Sequence, residues 1–516
     1  MSSIFWGDSH CNIVGYHFAE GRKKYLDTLD DAFATASQHL DFFPVAYYPF
    51  IRFKKNGLAL ETAGNQEEFV EEWRRVGELV KKWNNPGRFV TFLGYEWHGN
   101  REKYGDHNVF FFDEGPLLDT VEISELYSEV KKLKGIAIPH HTAYQVGMRG
   151  KDWSYFDEDL SPFAEVYSNH GSSEGCGTPV KMDRNTMMGP RTSGGSIQDG
   201  LARGHHFGLV ASSDSHENFA GAWNSGLMGV VADKLTRADL WDAFKRRSVY
   251  AVTGDRMQIR YSLNDAPMGS IMEDPGTGGD DRRNVKVDVV GCDEIDRVEI
   301  IKNNRVAHTF CNKGRWDLDA NKRRVRFKQR ITVGWGPLDF GPPKREWPGQ
   351  VTVRGGTILS VEPCFTAPGQ SYSIEADTRC TWNLVSKRTA GDSPFARTPF
   401  FNQGLIFEIE ADRSSTVVYE IAGNRREYAV DDLLATSSIV ALTDEMEETI
   451  QADFGLKSDE IGSESLYWLK AYKAKISRAV PSEGYEVAFE WNDGAESGSV
   501  HAGHEDYYYL RITQSN

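Results

Sequence analysis

Ile4-Phe5-Trp6-Gly7-Asp8-Ser9-His10-Cys11-Asn12 is an apolar run that ends in ligand-type side chains, and His17 follows it. Ile4–Gly7 reads as a buried strand. The same grammar recurs along the first half of the chain. Phe89–Tyr95 leads into Glu96-Trp97-His98, Gly135–Pro139 into His140-His141, Phe163–Tyr167 into Asn169-His170, and Gly208–Ser212 into Ser213-Asp214-Ser215-His216. Asp41–Tyr48 and Leu227–Ala232 complete seven strand candidates, and His107 stands between two of them in Gly105-Asp106-His107-Asn108.

Amphipathic helices fill the intervals. Phe69, Trp73, Val76, Leu79 and Trp83 fall at steps of three and four and predict a helix over 66–83, with Asn65 as its N-cap. Ile123, Leu126, Val130 and Leu133 predict a second over 122–134, capped by Gly135. A third opens at Thr236-Arg237-Ala238-Asp239, a capping box, and runs to about 248. Strands alternating with helices predict an α/β fold, a parallel sheet or barrel with helices outside. In such barrels the loops after the strand C-termini build the active site.

A ring of His, Asp and Glu on that face is what a divalent metal needs: imidazole with carboxylate suits Zn, Mn or Fe. Eleven of the 14 histidines lie in the first 216 residues, which concentrates the chemistry there. His39, His98 and His205 read as surface residues or as supports behind the ligands, and His206 as structural. The six cysteines are scattered without a C-x-x-C pair, so neither a disulfide framework nor a thiolate zinc site is expected. The charge of −16 argues against nucleic acid as a partner. No apolar run approaches the roughly 18 residues of a membrane span. The first residues lack the basic and apolar regions of a secretory leader, so a cytoplasmic protein is expected.

After about residue 255 the pattern becomes β-rich. Residues 1–255 are read as the metal-binding barrel and 256–516 as a sandwich-like β domain with a helical insertion near 430–478. Gly/Pro-rich stretches at 264–281 and 334–349 read as surface loops.

Gly7-Asp8-Ser9-His10, Gly94-Tyr95-Glu96-Trp97, Ile138-Pro139-His140-His141 and Ala211-Ser212-Ser213-Asp214-Ser215-His216, in this order, resemble the polymerase-and-histidinol-phosphatase (PHP) superfamily. Leu235–Gly254, Asn264–Gly269 and Tyr507–Ile512 are similar to its uncharacterised branch with a C-terminal β domain, the DUF3604 type. The resemblance implies a distorted (β/α)7 barrel with one to three divalent ions. His10, Glu96 and Asp214 would hold one ion. Glu96 would bridge to a second held by His140 and His170, and His17 and His216 would serve a third. His107 would be a ligand or substrate contact, and His141 would support His140 or exchange roles with it. The chain departs from the pattern where Asn12 replaces a second histidine and Tyr47-Tyr48 replaces Asp-His. Asn12 is kept as a weak oxygen ligand, and Tyr48 joins His170 and His107 as an acid or electrostatic partner.

The expected function is a hydrolase that uses metal-activated water on a phosphoester of a small anionic substrate. Glu96 and Asp214 would be essential to it. Arg149, Lys181, Arg184 and Arg191, with His141, are the candidates to bind that substrate, because guanidinium forks match phosphate and carboxylate. Hydrolysis of a lactone, ester or amide is the alternative chemistry. A degenerate, ligand-binding barrel is the alternative class. The expected partner is a small molecule, with neither nucleic acid nor membrane, and homo-oligomerisation is left open.

Overall fold

The strand Val90–Trp97 shows how the fold is built. Val90, Phe92, Gly94 and Glu96 share one face, three of them small or apolar and the last acidic. In the computed structural model this face is the concave side of a curled sheet, with its core below and its polar end above. The structure describes residues 2–14, 22–49, 51–55, 59–63, 66–182, 189–216, 219–272, 283–313, 316, 322–335, 344–387, 402–442, 455, 473–494 and 505–515.

The chain divides into two compact units. The first comprises Met1–Val289, Val298–Phe310 and Ala488–Arg511. Its main sheet uses β1 (Ser3–Gly7), β2 (Cys11–Val14), β3 (Phe42–Tyr48), β6 (Val90–Trp97), β7 (Asp106–Phe111), β8 (Ile136–His140), β12 (Leu227–Ala232) and β13 (Val249–Val252). The hairpin β4 (Ile51–Lys55) and β5 (Ala59–Ala63) follows β3. A separate three-stranded sheet holds β9 (Phe163–Ser168), β10 (Gly171–Ser172) and β11 (Gly208–Ala211).

All seven predicted strands are present. The order in the main sheet is β13-β12-β1-β3-β6-β7-β8, with β2 beside β3. The expectation of a purely parallel sheet needs correction. The pairs β1–β3, β3–β6 and β9–β11 are parallel. The pairs β6–β7, β7–β8, β1–β12 and β12–β13 are antiparallel. Part of the cause is β7, which the sequence reading missed and which runs antiparallel to both of its neighbours; β12 is likewise antiparallel to both β1 and β13, although the helix Arg237–Lys245 lies between β12 and β13.

The helices α1 (Arg22–Ala36), α2 (Gln66–Trp83), α3 (Arg101–Tyr104), α4 (Ile123–Lys132), α5 (Ile197–Ala202) and α6 (Arg237–Lys245) include all three predicted ones. α2 buries Phe69, Val76, Leu79 and Val80; its proposed cap Asn65 lies outside the described residues. α6 has half of the expected capping box: the Thr236 hydroxyl accepts the Asp239 amide at 3.1 Å, while the Thr236 amide bonds to the Lys234 carbonyl at 3.0 Å. α4 ends differently: Lys134 takes the left-handed conformation (φ 53°), and the Gly135 amide closes on the Val130 carbonyl at 2.9 Å.

Phe42, Val90, Phe92, Phe110, Ile136, Ile138, Phe163, Val210 and Met228 form the apolar floor of the concave side. Gly94 is required here. A Cβ at this position would lie 2.3 Å from the Phe110 ring, and 2.5 and 2.7 Å from the carbonyl oxygens of Val109 and Val45.

The first unit also takes in most of a four-stranded sheet (Gln258–Leu263, Ala266–Pro267, Arg283–Val290, Glu486–Asp493) and a three-stranded one (Ile295–Lys302, Arg305–Cys311, Tyr508–Gln514). The expected loop at 264–281 begins as a tight hairpin, with Asn264 and Asp265 both left-handed; 273–282 lie outside the described residues.

The second unit comprises Val290–Arg297, Cys311–Val487 and Ile512–Asn516. It is built on a nine-stranded antiparallel sheet whose longest members are Lys344–Cys364 and Gln403–Ile421. Lys344–Cys364 corrects the end of the loop expected at 334–349, of which 336–343 lie outside the described residues: Pro348 and Gly349 suggest a break, yet Gly349 pairs with both Ile421 and Trp382. Of the helical insertion near 430–478, the structure has a helix at Val430–Ala435 and strands at Ser438–Ala441 and Lys473–Ile476; most of the remainder lies outside the described residues. No disulfide joins the six cysteines. No helix among the described residues is long and apolar enough to cross a membrane.

Candidate metal centre

Strand alternation decides which polar side chains meet. Glu96 ends the inner face of β6, His140 ends that of β8, and Asp106 and Asn108 lie opposite them on β7, since Glu96 pairs with Asn108 and Asp106 with His140. The turn after β1 adds His10, and the turn after β11 adds Asp214. His10, Glu96 and His140 are all buried, and their donor atoms lie within 4.8 Å of one another.

The distances are close throughout. Glu96 Oε2 is 3.5 Å from His10 Nε2, and Glu96 Oε1 is 3.3 Å from His140 Nε2. Asp214 Oδ1 is 3.3 Å from His10 Nε2, and Asp214 Oδ2 is 2.5 Å from His170 Nε2. Asn12 Nδ2 donates to Asp214 Oδ1 at 3.2 Å and approaches His216 Nε2 at 3.3 Å. Tyr144 Oη and His170 Nδ1 are hydrogen-bonded at 2.7 Å. Tyr48 sets its ring edge-on to those of His98 and His216, at 4.6 and 5.3 Å between centroids. His170 and His216 are the least buried of the ring and mark its mouth.

Two features fit this cluster to a divalent ion. First, His10 Nε2, Glu96 Oε2 and His140 Nε2 are buried and have no hydrogen-bond partner, a costly arrangement unless something else ligates them. Second, Glu165 Oε2 accepts the Nδ1–H of His10 at 2.7 Å, which fixes the tautomer and turns Nε2 toward the cluster, as carboxylates behind metal-bound histidines do. Ser212 Oγ holds that carboxylate from the other side at 2.9 Å.

Electrostatics agree. Burial alone would push His10 down, but the Asp214 and Glu165 carboxylates beside it raise it well above the usual histidine range, so the pocket favours a cation. Burial would push Glu96 up, yet His98, His10 and His140 hold it well below the carboxylate range. Asp214 is likewise held down against burial by His10 and His170. Burial, with His140 and His170 nearby, keeps His141 neutral. His141 and Asp214 both have positive φ, 35° and 50°. Such conformations in non-glycine residues concentrate at functional sites.

Asp106, His140 and His141 also lie within 4.8 Å of one another. This second donor set suits a metal less well. Asp106 is bridged by Arg101 Nε and Nη2 at 2.5 and 2.7 Å and by Arg149 Nη2 at 2.5 Å. Both of its oxygens are taken.

The structure thus gathers His10, Asn12, Tyr48, Glu96, His140, His141, His170, Asp214 and His216. It does not gather all that the sequence suggested. His107 pairs with Trp97 and Pro139, so it lies on the opposite face of the sheet from Glu96. There it packs against the Trp97 ring, with Lys151 Nζ 3.2 Å from its Nε2. Arg191 staples its own loop, its Nη1 donating to the carbonyls of Ser172 and Val180 at 3.1 and 2.8 Å. Lys181 is exposed. His17 and Arg184 lie outside the described residues.

His98, read as a surface or supporting residue rather than a ligand, places Nε2 2.6 Å from Glu96 Oε1 and so supports that carboxylate. Glu165, Asp106 and Arg101 were missed. Glu165 left a signal, a lone carboxylate within the apolar run 163–167. Arg101 and Asp106 left none, because a helix-to-strand turn has no period. His39, His205 and His206 are not part of the cluster, as read: His39 Nε2 meets the Ala220 carbonyl at 2.8 Å, His205 Nε2 the Trp153 carbonyl at 3.0 Å, and His206 Nδ1 Glu158 at 2.9 Å.

Residues 25–132 and 220–265 match the family described as a protein of unknown function (DUF3604). These segments include Tyr48, Glu96 and His107 and leave out His10, His140, His170 and Asp214. Uncharacterised proteins of Chlamydia pneumoniae, Chlamydia muridarum and Chlamydia trachomatis are 27%, 26% and 25% identical over 274, 266 and 262 residues. The matches cover 49%, 47% and 46% of this chain and 43%, 42% and 41% of those proteins, so the aligned part spans less than half of each relative. Among solved structures, a two-domain protein of Bacteroides vulgatus, described as containing a predicted PHP-like metal-dependent phosphoesterase, aligns over 83% of this chain and 94% of its own. Its TM-score is 0.34 and its identity 11%, too distant a likeness to carry fold or function.

Proposed function

We propose that the chain is a metal-dependent hydrolase with a PHP-type, distorted seven-stranded barrel, acting on a phosphoester of a small anionic molecule. The observation that carries this reading is the convergence of three buried donor atoms, His10 Nε2, Glu96 Oε2 and His140 Nε2, none with a hydrogen-bond partner. Asp214 completes the set. A divalent ion bound there supplies a Lewis acid and lowers the pKa of coordinated water.

The remaining work falls to the chain. Glu165 orients His10, and Asn12 holds Asp214 from the side. His170, at the mouth, is engaged at both ring nitrogens, by Tyr144 at Nδ1 and by Asp214 at Nε2, and so holds the Asp214 carboxylate in position. Among the described residues, Arg149, with Nη2 3.5 Å from His141 Nε2, is the proposed cation that borders the cluster, and it would meet the substrate's charge. The reading carries with it a cytoplasmic location and a small-molecule partner, with neither nucleic acid nor membrane.

Metal analysis of the purified protein, thermal shift with Mn2+ and Zn2+, and turnover of bis(p-nitrophenyl) phosphate against p-nitrophenyl esters and lactones test it. Bound metal and phosphodiester cleavage that is abolished in Glu96→Ala and Asp214→Ala are expected. Absence of both metal and metal-dependent stabilisation would refute the reading. Cleavage of esters alone would move the reaction to carbonyl carbon.

A further inference from the structure

Asp106 is fully buried, and Arg101 and Arg149 converge on its single carboxylate. Burial would raise this carboxyl, but the two guanidinium groups hold it well below the usual range. One negative charge then answers two positive ones. Among the described residues no second carboxylate lies within ion-pair distance of either guanidinium. The two guanidinium groups, 13% and 20% exposed, thus carry one positive charge that Asp106 does not neutralise. Arg149 Nε is buried and has no hydrogen-bond partner. Nη1 of both arginines bonds to no described residue.

The surplus charge borders the metal cluster. Arg149 Nη2 is 3.5 Å from His141 Nε2, and the donor atoms of Asp106, His140 and His141 lie within 4.8 Å of one another. The arrangement is rigid. Arg101 projects from α3, one short turn before β7. Arg149 sits in a closed turn in which the Met148 and Gly150 amides both bond to the Gln145 carbonyl at 3.0 Å. Gly105 (φ 71°) packs against that turn; a Cβ there would lie 3.3 Å from the Arg149 carbonyl oxygen.

We infer that Arg101 and Arg149, seated together on Asp106, are the anion-binding half of this site, and that the substrate presents a phosphate group to them while its reacting bond faces His10, Glu96 and His140. This deepens the function proposed above and rests on it for the reaction, though not for the binding. Guanidinium forks pair with phosphate oxygens through parallel hydrogen bonds, and Asp106 pre-orients both forks.

Calorimetric titration of the full-length, metal-loaded protein with inorganic phosphate tests it, with metal content measured on the same samples. Wild type should bind phosphate. Arg149→Met should weaken binding at least tenfold with metal content unchanged. Arg149→Lys, which keeps the charge but loses the fork, should fall between and serves if the Met variant does not fold. Equal phosphate affinity in wild type and either variant, or no phosphate binding by metal-loaded wild type, overturns the inference and leaves the metal reading standing. If wild type takes up no metal on loading and its phosphate affinity still drops in Arg149→Met, the metal reading is overturned and the arginine pair stands.

Discussion

Glu165→Gln separates an oriented ligand from a merely buried histidine. Glu165 is 2% exposed and spends one oxygen, Oε2, on two donors: His10 Nδ1 at 2.7 Å and Ser212 Oγ at 2.9 Å. Glutamine keeps the volume and removes the charge. A hydrogen bond to a charged group contributes about 1.5–3 kcal/mol. Outer partners of metal-bound histidines change metal affinity by roughly 10- to 100-fold, or about 1.4–2.8 kcal/mol. The two estimates coincide, so the variant should bind Zn2+ or Mn2+ 10- to 100-fold more weakly. Competition with a chromophoric chelator measures this, and circular dichroism confirms that the variant is folded. Unchanged affinity in folded Glu165→Gln would show that His10 needs no orientation, and the assignment of its Nε2 to a metal would lose its support.

Other outcomes follow from the same geometry. His107→Gln should leave hydrolysis and metal content as in wild type, because His107 faces away from Glu96; a large loss of turnover in a steady-state assay would reverse that placement. Gly94→Ala should cost more than about 3 kcal/mol, since two backbone oxygens that cannot move apart stand within 2.7 Å of the new methyl, and urea unfolding reads this directly. Lys151 is buried and pushed down to about 7 by desolvation. Its unfolded form binds more protons between pH 7 and about 10.4, so stability rises with pH through that window and is lost again as pH falls toward 7. Wild type should therefore gain roughly 3 kcal/mol more than Lys151→Met between pH 7 and 9.5, in paired unfolding curves; parallel pH profiles would refute the shift.

Much of the first unit was legible because its strands are apolar runs with abrupt ends. Ile4–Gly7, Phe163–Tyr167 and Leu227–Ala232 agree with β1, β9 and β12 to within a residue. Partnership was not legible. β7 reads Asp106-His107-Asn108-Val109-Phe110-Phe111, whose polar half looks like a loop because those side chains serve the site and the strand's outer face. Missing β7 made the sheet look parallel and made His107 look like a loop ligand. In the second unit, Lys344–Cys364 hides behind Pro348, Gly349 and the Gly355-Gly356 pair, where the strand shifts register. There, tertiary pairing overrides local propensity.

The site illustrates the same limit at the level of single atoms. A sequence names the residue types that cluster, but the face of each strand chooses among them: Glu96 and His140 enter, while Trp97 and Pro139 turn out with His107. The two departures from the PHP pattern then acquire physical roles. Tyr47 belongs to the outer face, where its hydroxyl donates to buried Glu72 on α2 at 2.5 Å and its ring meets Trp73. A ligand at this position would point away from the cluster. Tyr48 faces inward, but burial and the nearby Glu96 carboxylate raise its phenol, so it stays neutral and contributes a ring edge between His98 and His216. Asn12 offers its amide NH2 to Asp214, while its Oδ1 is buried without a hydrogen-bond partner and so keeps the oxygen expected of a weak ligand. Where a second cationic charge is still present near this cluster, it belongs to Arg101 and Arg149, and these are the side chains to which further substitution should turn first.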